Sequence, residues 1–181
     1  MLLLIIVIVV VAFLAIWLAA TRSAPSMPPR DGSSTELQTF KVQHIIDGDT
    51  IVVTEFWKEI RVRLYAIDCP EDGQPWGNIA KAGLIKMIGG RYVQLETHGN
   101  DLHGRILATI YVQRDRESEW TNVNERMVML GHAWVARGFY GDLPVPRQNK
   151  LDQLEDWAKS KRVGLWNTEQ PVPPWMWRRQ Q

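Results

Sequence analysis

An α+β fold dominated by β structure, a small closed barrel packed by helices, follows from three features of the sequence. Short β-patterned runs recur at residues 40–46, 50–56, 58–67, 91–97 and 105–112. An Asp47-Gly48 pair lies between the first two, the strongest short-range signal for a hairpin. Apolar residues at helical spacing mark one segment after the third run and another near the end of the chain. Five short strands with a helix after the third and another at the end match a five-stranded barrel of the OB type.

Residues 2–20 carry no charge, and nineteen residues at helical rise cover about 28 Å, close to the hydrocarbon thickness of a bilayer. A hydrophobic helix is therefore expected to precede the barrel, either as a retained transmembrane anchor or as a signal peptide over residues 1–20. The chain would accordingly be exported (periplasmic or secreted) or membrane-anchored. Arg22 and Arg30 after the apolar run favour a cytoplasmic domain, whereas the likeness to an export signal favours the opposite orientation. Residues 21–37, rich in Ser, Pro and Gly, read as a flexible tether.

In the third strand Ile60, Val62, Leu64 and Ala66 alternate with Arg61, Arg63 and Tyr65, so the arginines face away from the apolar set. The strand must end near Asp68, because Pro70 lacks an N–H and restricts Cys69. A helix is expected over residues 78–88, with Ile79, Ala80, Leu84, Ile85 and Ile88 on one side, stopped by Gly89-Gly90. The fourth and fifth strands flank the loop HGNDLHG. A short helix at residues 123–130 closes on Gly131, and residues 133–136 form a strand segment. The last helix, residues 147–162, places Leu151, Leu154, Trp157 and Ala158 on its apolar face and ends at Gly164. Trp134 and Trp157 read as core residues. The domain spans residues 38–168, and residues 169–181 form a Pro/Trp/Arg-rich tail that could lie across the barrel or stack on nucleic acid.

The chain has 21 Lys and Arg against 20 Asp and Glu, and from Asp31 onward 19 against 20, so no global basic field draws in nucleic acid. An anionic ligand must be caught by locally placed arginines. Its one cysteine, Cys69, excludes an intramolecular disulfide, and the four histidines lack zinc-ligand spacing.

Asp49 ends the hairpin turn and Asp68 ends the third strand, so in a small barrel the two can converge. Two carboxylates and a backbone carbonyl make a hard-oxygen site suited to Ca²⁺. Arg63 on its strand and Arg105 at the start of the next offer forks for a phosphate. Glu71, one bend beyond Asp68, is the candidate general base.

These motifs, IIDGDT, RLYAIDCPE, QPWG, DLHGR, VNERMVMLGHAWV, GLW and PVPPW, together resemble the staphylococcal (micrococcal) nuclease, or thermonuclease, family over about residues 40–177. The resemblance implies an OB-fold and calcium-dependent hydrolysis of DNA and RNA, single-stranded or locally melted, with low sequence specificity and 3′-phosphate products. It implies that Asp49, Asp68 and the backbone carbonyl of Cys69 bind the metal, with Asp47 in support and Thr50 buttressing the turn. Glu71 would act on the water, and Arg63 and Arg105 would hold the phosphate. Leu102 and His103 replace a lysine and a tyrosine that grip the terminal phosphate in the family's best-known member. His103, Arg137, Phe139 and Tyr140 are the candidate substrate contacts in this chain, and a monomer is expected. A non-catalytic barrel of the same family, or one co-opted in the cell envelope, for example for exopolysaccharide production, is the alternative reading. A degenerate barrel should have lost at least one of Asp49, Arg63, Asp68, Glu71 and Arg105, and all five are present.

Overall fold

The computed structural model describes residues 37–113 and 119–181. The expected membrane segment lies outside the described residues, as does the expected tether except for Leu37. Among the described residues no helix is long and apolar enough to cross a membrane.

Five strands close into a barrel. The strands β1 (Thr39–Ile45), β2 (Thr50–Glu55) and β3 (Lys58–Leu64) form an antiparallel meander, and β5 (Tyr92–Asn100) and β6 (Ile106–Gln113) form a second antiparallel pair. β1 pairs antiparallel with β5, and β3 pairs parallel with β6 through Val62–Ile106, Arg63–Leu107 and Leu64–Ala108, which completes the ring. Val42, Ile51, Val53, Val62, Leu64, Val93, Ala108 and Ile110 fill it, as the period-two pattern requires. A short strand β7 (Trp120–Asn122), not anticipated from the sequence, extends the sheet along β6.

The third run ends earlier than its pattern suggested. β3 stops at Leu64, Ala66 adopts a left-handed conformation (φ 66°), and Tyr65, expected with the exposed arginines, is buried with its ring stacked on His98. Beyond this turn the two-residue strand β4 (Ile67–Asp68) leaves the barrel and pairs with β8 (Trp134–Val135). The helix α1 (Gly77–Ile88) buries Ala80, Leu84 and Ile88, whereas Ile79 and Ile85 face outward, because only the 80/84/88 row meets the barrel. α2 (Val123–Met129) is capped by Asn122, whose side chain accepts the Glu125 N–H, and α3 (Val145–Ser160) packs with Leu151 and Ala158. Trp157, expected in the core, is 44% exposed on the outer side of α3. α3 begins and ends two residues before its expected bounds.

Asn124, buried at the start of α2, ties the helix to the barrel seam. Its Oδ1 accepts the Ile110 N–H (3.0 Å), and its Nδ2 donates to the carbonyls of Tyr65 (2.9 Å) and Ala108 (3.1 Å). Replacing it by Ala strands buried backbone groups. Asn124→Ala should cost about 3 kcal/mol and lower the melting temperature by roughly 10 °C in a circular dichroism melt. A shift under 2 °C would remove this residue from the seam's support.

Candidate active site

Three backbone features bring the carboxylates together. In the β1–β2 turn Asp47 Oδ1 accepts the Asp49 N–H (2.9 Å), and the Asp49 carbonyl accepts the Leu64 N–H (2.8 Å), so the turn is fastened to the end of β3. Gly48 permits close approach of the segment after β4, since a Cβ there would lie 2.7 Å from the Cβ of Cys69. The Cys69 N–H then donates to Asp49 Oδ2 (2.9 Å).

Arg63 stands between the two buried carboxylates. Its Nη1 donates to Asp49 Oδ1 (2.5 Å) and its Nη2 to Asp68 Oδ1 (2.7 Å). Asp49 also accepts the Thr50 hydroxyl (3.1 Å). Burial raises the Asp49 carboxyl to about 7, with Asp47 and Asp68 adding to the shift, although Arg63 and the Cys69 N–H oppose it. Burial also works against the charge on Arg63, yet Asp49 and Asp68 hold its pKa above the usual arginine value. Burial pushes the Cys69 thiol well up, and its sulfur donates to the Gly48 carbonyl (3.2 Å), so the side chain is structural.

Arg105 reaches the same cluster from β6's approach. Its Nε donates to Asp101 Oδ2 (2.7 Å) and its Nη1 to the Thr50 hydroxyl (3.3 Å), so Thr50 links it to Asp49. Glu71 stands at the rim, its backbone N–H donating to Gln74 Oε1 (2.9 Å). An open groove of about 1300 Å³ runs past Arg63, Asp68, Glu71 and Arg105.

The outer residues divide. His103 lines the groove, with its N–H donating to Asp101 Oδ1 (2.9 Å), and Phe139 lines it while 77% exposed. Arg137 also borders the groove, but its guanidinium is bound to Asp152 and Glu155 (both 2.8 Å). Tyr140 packs against the core, and its hydroxyl donates to Asp152 (3.4 Å). Arg178, from the tail, enters the site: its Nη2 donates to Asp68 Oδ2 (2.8 Å) and its Nη1 to Glu71 Oε1. The run of tryptophans followed by arginines in WMWRR was its only sequence signal.

Residues 61–168 match the family described as staphylococcal nuclease homologue. The chain belongs to the staphylococcal nuclease family. Among its relatives, a micrococcal nuclease of Shigella flexneri is 37% identical over 142 residues, covering 77% of this chain and 79% of that one. Protein ParB of Escherichia coli is 41% identical over 143 residues, covering 77% and 78%. An uncharacterised endonuclease of Escherichia coli is 36% identical over 138 residues, covering 76% and 83%.

Among the described residues, no group of three or more His, Cys, Asp or Glu side chains is arranged to hold a metal ion. The oxygen donors that converge are two buried carboxylates on one arginine, with the Gly48 and Asp49 carbonyls in the adjoining turn. A set this poor in side-chain ligands suits a cation that accepts carbonyls and water, as calcium does, and not one that needs His or Cys.

Because the Asp49 pKa in the fold exceeds its ordinary 3.8, its contribution to stability is complete below about pH 4 and lost as pH rises through about 7. Asp49→Asn should therefore stabilise the metal-free protein at pH 8, by about 1–3 kcal/mol, and much less at pH 4.5. Thermal melts at the two pH values test this; a destabilised variant at pH 8 would mean that the ion pair with Arg63 outweighs the cost of burial.

Proposed function

We propose that this chain is a calcium-dependent nuclease that hydrolyses phosphodiester bonds in DNA and RNA with low sequence specificity, leaving 3′-phosphates. The observation that carries the reading is the Arg63 fork, which joins Asp49 to Asp68 at the floor of a groove that Arg105 and Glu71 also line. Family membership and the likeness to a micrococcal nuclease and an endonuclease support the same chemistry. Asp49, Asp68 and the Cys69 carbonyl are the proposed ligands. Bound calcium would neutralise the phosphate oxygens and lower the pKa of a coordinated water.

The chain's own residues account for the remaining steps. Arg63 directs one N–H from each terminal nitrogen at a carboxylate, and a guanidinium has five donors, so three are left for a phosphate. Arg105 uses two donors within the protein and offers the rest to the same groove. Charge developing on the phosphoryl oxygens is stabilised by these fixed donors. Glu71 takes the proton of the attacking water as its oxygen bonds to phosphorus; the P–O5′ bond breaks, O5′ leaves with the bonding pair and takes a proton from solvent, and the phosphate stays on the 3′ end. Thr50 orients Arg105 and Asp49 together, and Asp47 holds the turn.

Phe139, exposed in the groove, would stack on a base and His103 would meet a neighbouring phosphate, whereas Arg137 would act through its ion pairs to position the Phe139 turn. An apolar segment at residues 2–20 makes an exported or membrane-anchored enzyme the corresponding proposal for location.

Purified protein should digest single-stranded DNA and RNA with calcium and not with a chelator, and Arg63→Ala should abolish the activity. Cleavage that persists in the chelator or in Arg63→Ala would refute the assignment. Glu71→Gln should lower the rate on the order of a thousandfold while calorimetric calcium binding is retained. A rate near wild type would take Glu71 out of the mechanism.

A further inference from the structure

The C-terminal tail enters the site through a chain of specific contacts. Gln74, 5% exposed, joins the two segments: its Oε1 accepts the Glu71 N–H, and its Nε2 donates to the Val172 carbonyl (2.7 Å). Pro174 is buried, and the Trp175 ring meets Trp134 edge to face, 6.4 Å between centroids. Trp134 lies in β8, in register with Asp68 of β4. The tail is thus anchored on the strand that pairs with the acid it covers. One helical turn, α4 (Pro174–Trp177), then delivers Arg178 to the groove. Its guanidinium binds both oxygens of Asp68 (2.8 and 3.3 Å) and reaches Glu71 with the same Nη1.

Asp68 therefore holds two arginines, Arg63 on one oxygen and Arg178 on both. Arg63 is 20% exposed and fixed by a barrel strand, whereas Arg178 is 46% exposed and borne on a one-turn segment. Both arginines meet the same buried acid, but the Arg178 head is the more exposed and its backbone support is a single turn, so the Arg178 pair is the more readily released. A dication cannot share Asp68 with two guanidiniums without strong like-charge repulsion.

We propose that Arg178 is an intramolecular latch on the active site, competing with the divalent cation for Asp68 while it occupies the carboxylate of Glu71. Cation binding and release of the tail are then a single linked equilibrium, and a polyanion in the groove favours release by taking up the freed arginine. The inference rests on Asp68 as a cation ligand.

Calcium titration of the full chain in mild detergent by calorimetry, wild type against Arg178→Gln, tests it. Arg178→Gln should bind calcium roughly tenfold more tightly, and Trp175→Ala, which removes the anchor and keeps the arginine, should shift the affinity in the same direction. In the wild type, calcium should accelerate trypsin cleavage after Arg178 and Arg179, read by mass spectrometry. Unchanged or weaker calcium binding in Arg178→Gln, beside a wild type that binds, overturns the latch and leaves the cation site standing. Weaker binding of a nucleoside 3′,5′-bisphosphate with unchanged calcium affinity would instead make Arg178 a phosphate ligand. If neither protein binds calcium, the cation-site reading fails and the latch fails with it.

Discussion

The structure depends on one guanidinium, that of Arg63, held between two carboxylates that are almost fully buried. Asp49 and Asp68 come from different places in the chain, a hairpin turn and a two-residue strand outside the barrel, and each is 3–4% exposed. Two buried carboxylates this close are unfavourable without a cation, and the barrel supplies one by placing Arg63 in the last turn-facing position of β3. The compensation is incomplete. Burial still lifts the Asp49 carboxyl to about 7, so the fold carries an electrostatic cost at neutral pH. A cation bound at Asp49 and Asp68, as proposed, would offset part of that cost.

Around that centre the arginines differ in how firmly they are held. Arg63 is fixed by its strand and by both acids, and Arg105 by Asp101 and Thr50. Arg137, which from sequence was a candidate for a phosphate, is committed to Asp152 and Glu155 on α3 and so braces the wall of the groove. Arg178, as exposed as Arg137, is carried by the one-turn tail segment and touches the most exposed acid of these pairs, Glu71. The tail arginine thus lies over the proposed base and one proposed cation ligand, which is where the proposed latch would act.

The hairpin around Asp47-Gly48-Asp49 and the arginine face of the third strand were legible because each rests on local chemistry, turn residues and period-two alternation, whereas the end of that strand at Leu64 was not. Helix faces were legible only in part. Ile79 and Ile85 fit an apolar stripe by spacing, yet the barrel touches only the row of Ala80, Leu84 and Ile88, and Trp157 points away from the core for the same reason. Tyr65 broke the alternation because Ala66 turns the chain with a positive φ, which alternation alone does not reveal.

By itself the sequence singled out the residues proposed for the chemistry, since Asp49, Arg63, Asp68, Glu71 and Arg105 sit at strand ends and turns, where side chains are free to converge. Only the tertiary structure decided how they meet. The parallel seam of β3 with β6, the pairing of β4 with β8 and the docking of Trp175 on Trp134 are contacts between residues far apart in the chain. Nothing in the local spacing of WMWRR says that its first arginine reaches Asp68, 110 residues away. That reach depends on where the barrel leaves Trp134, a consequence of packing that no window of sequence contains.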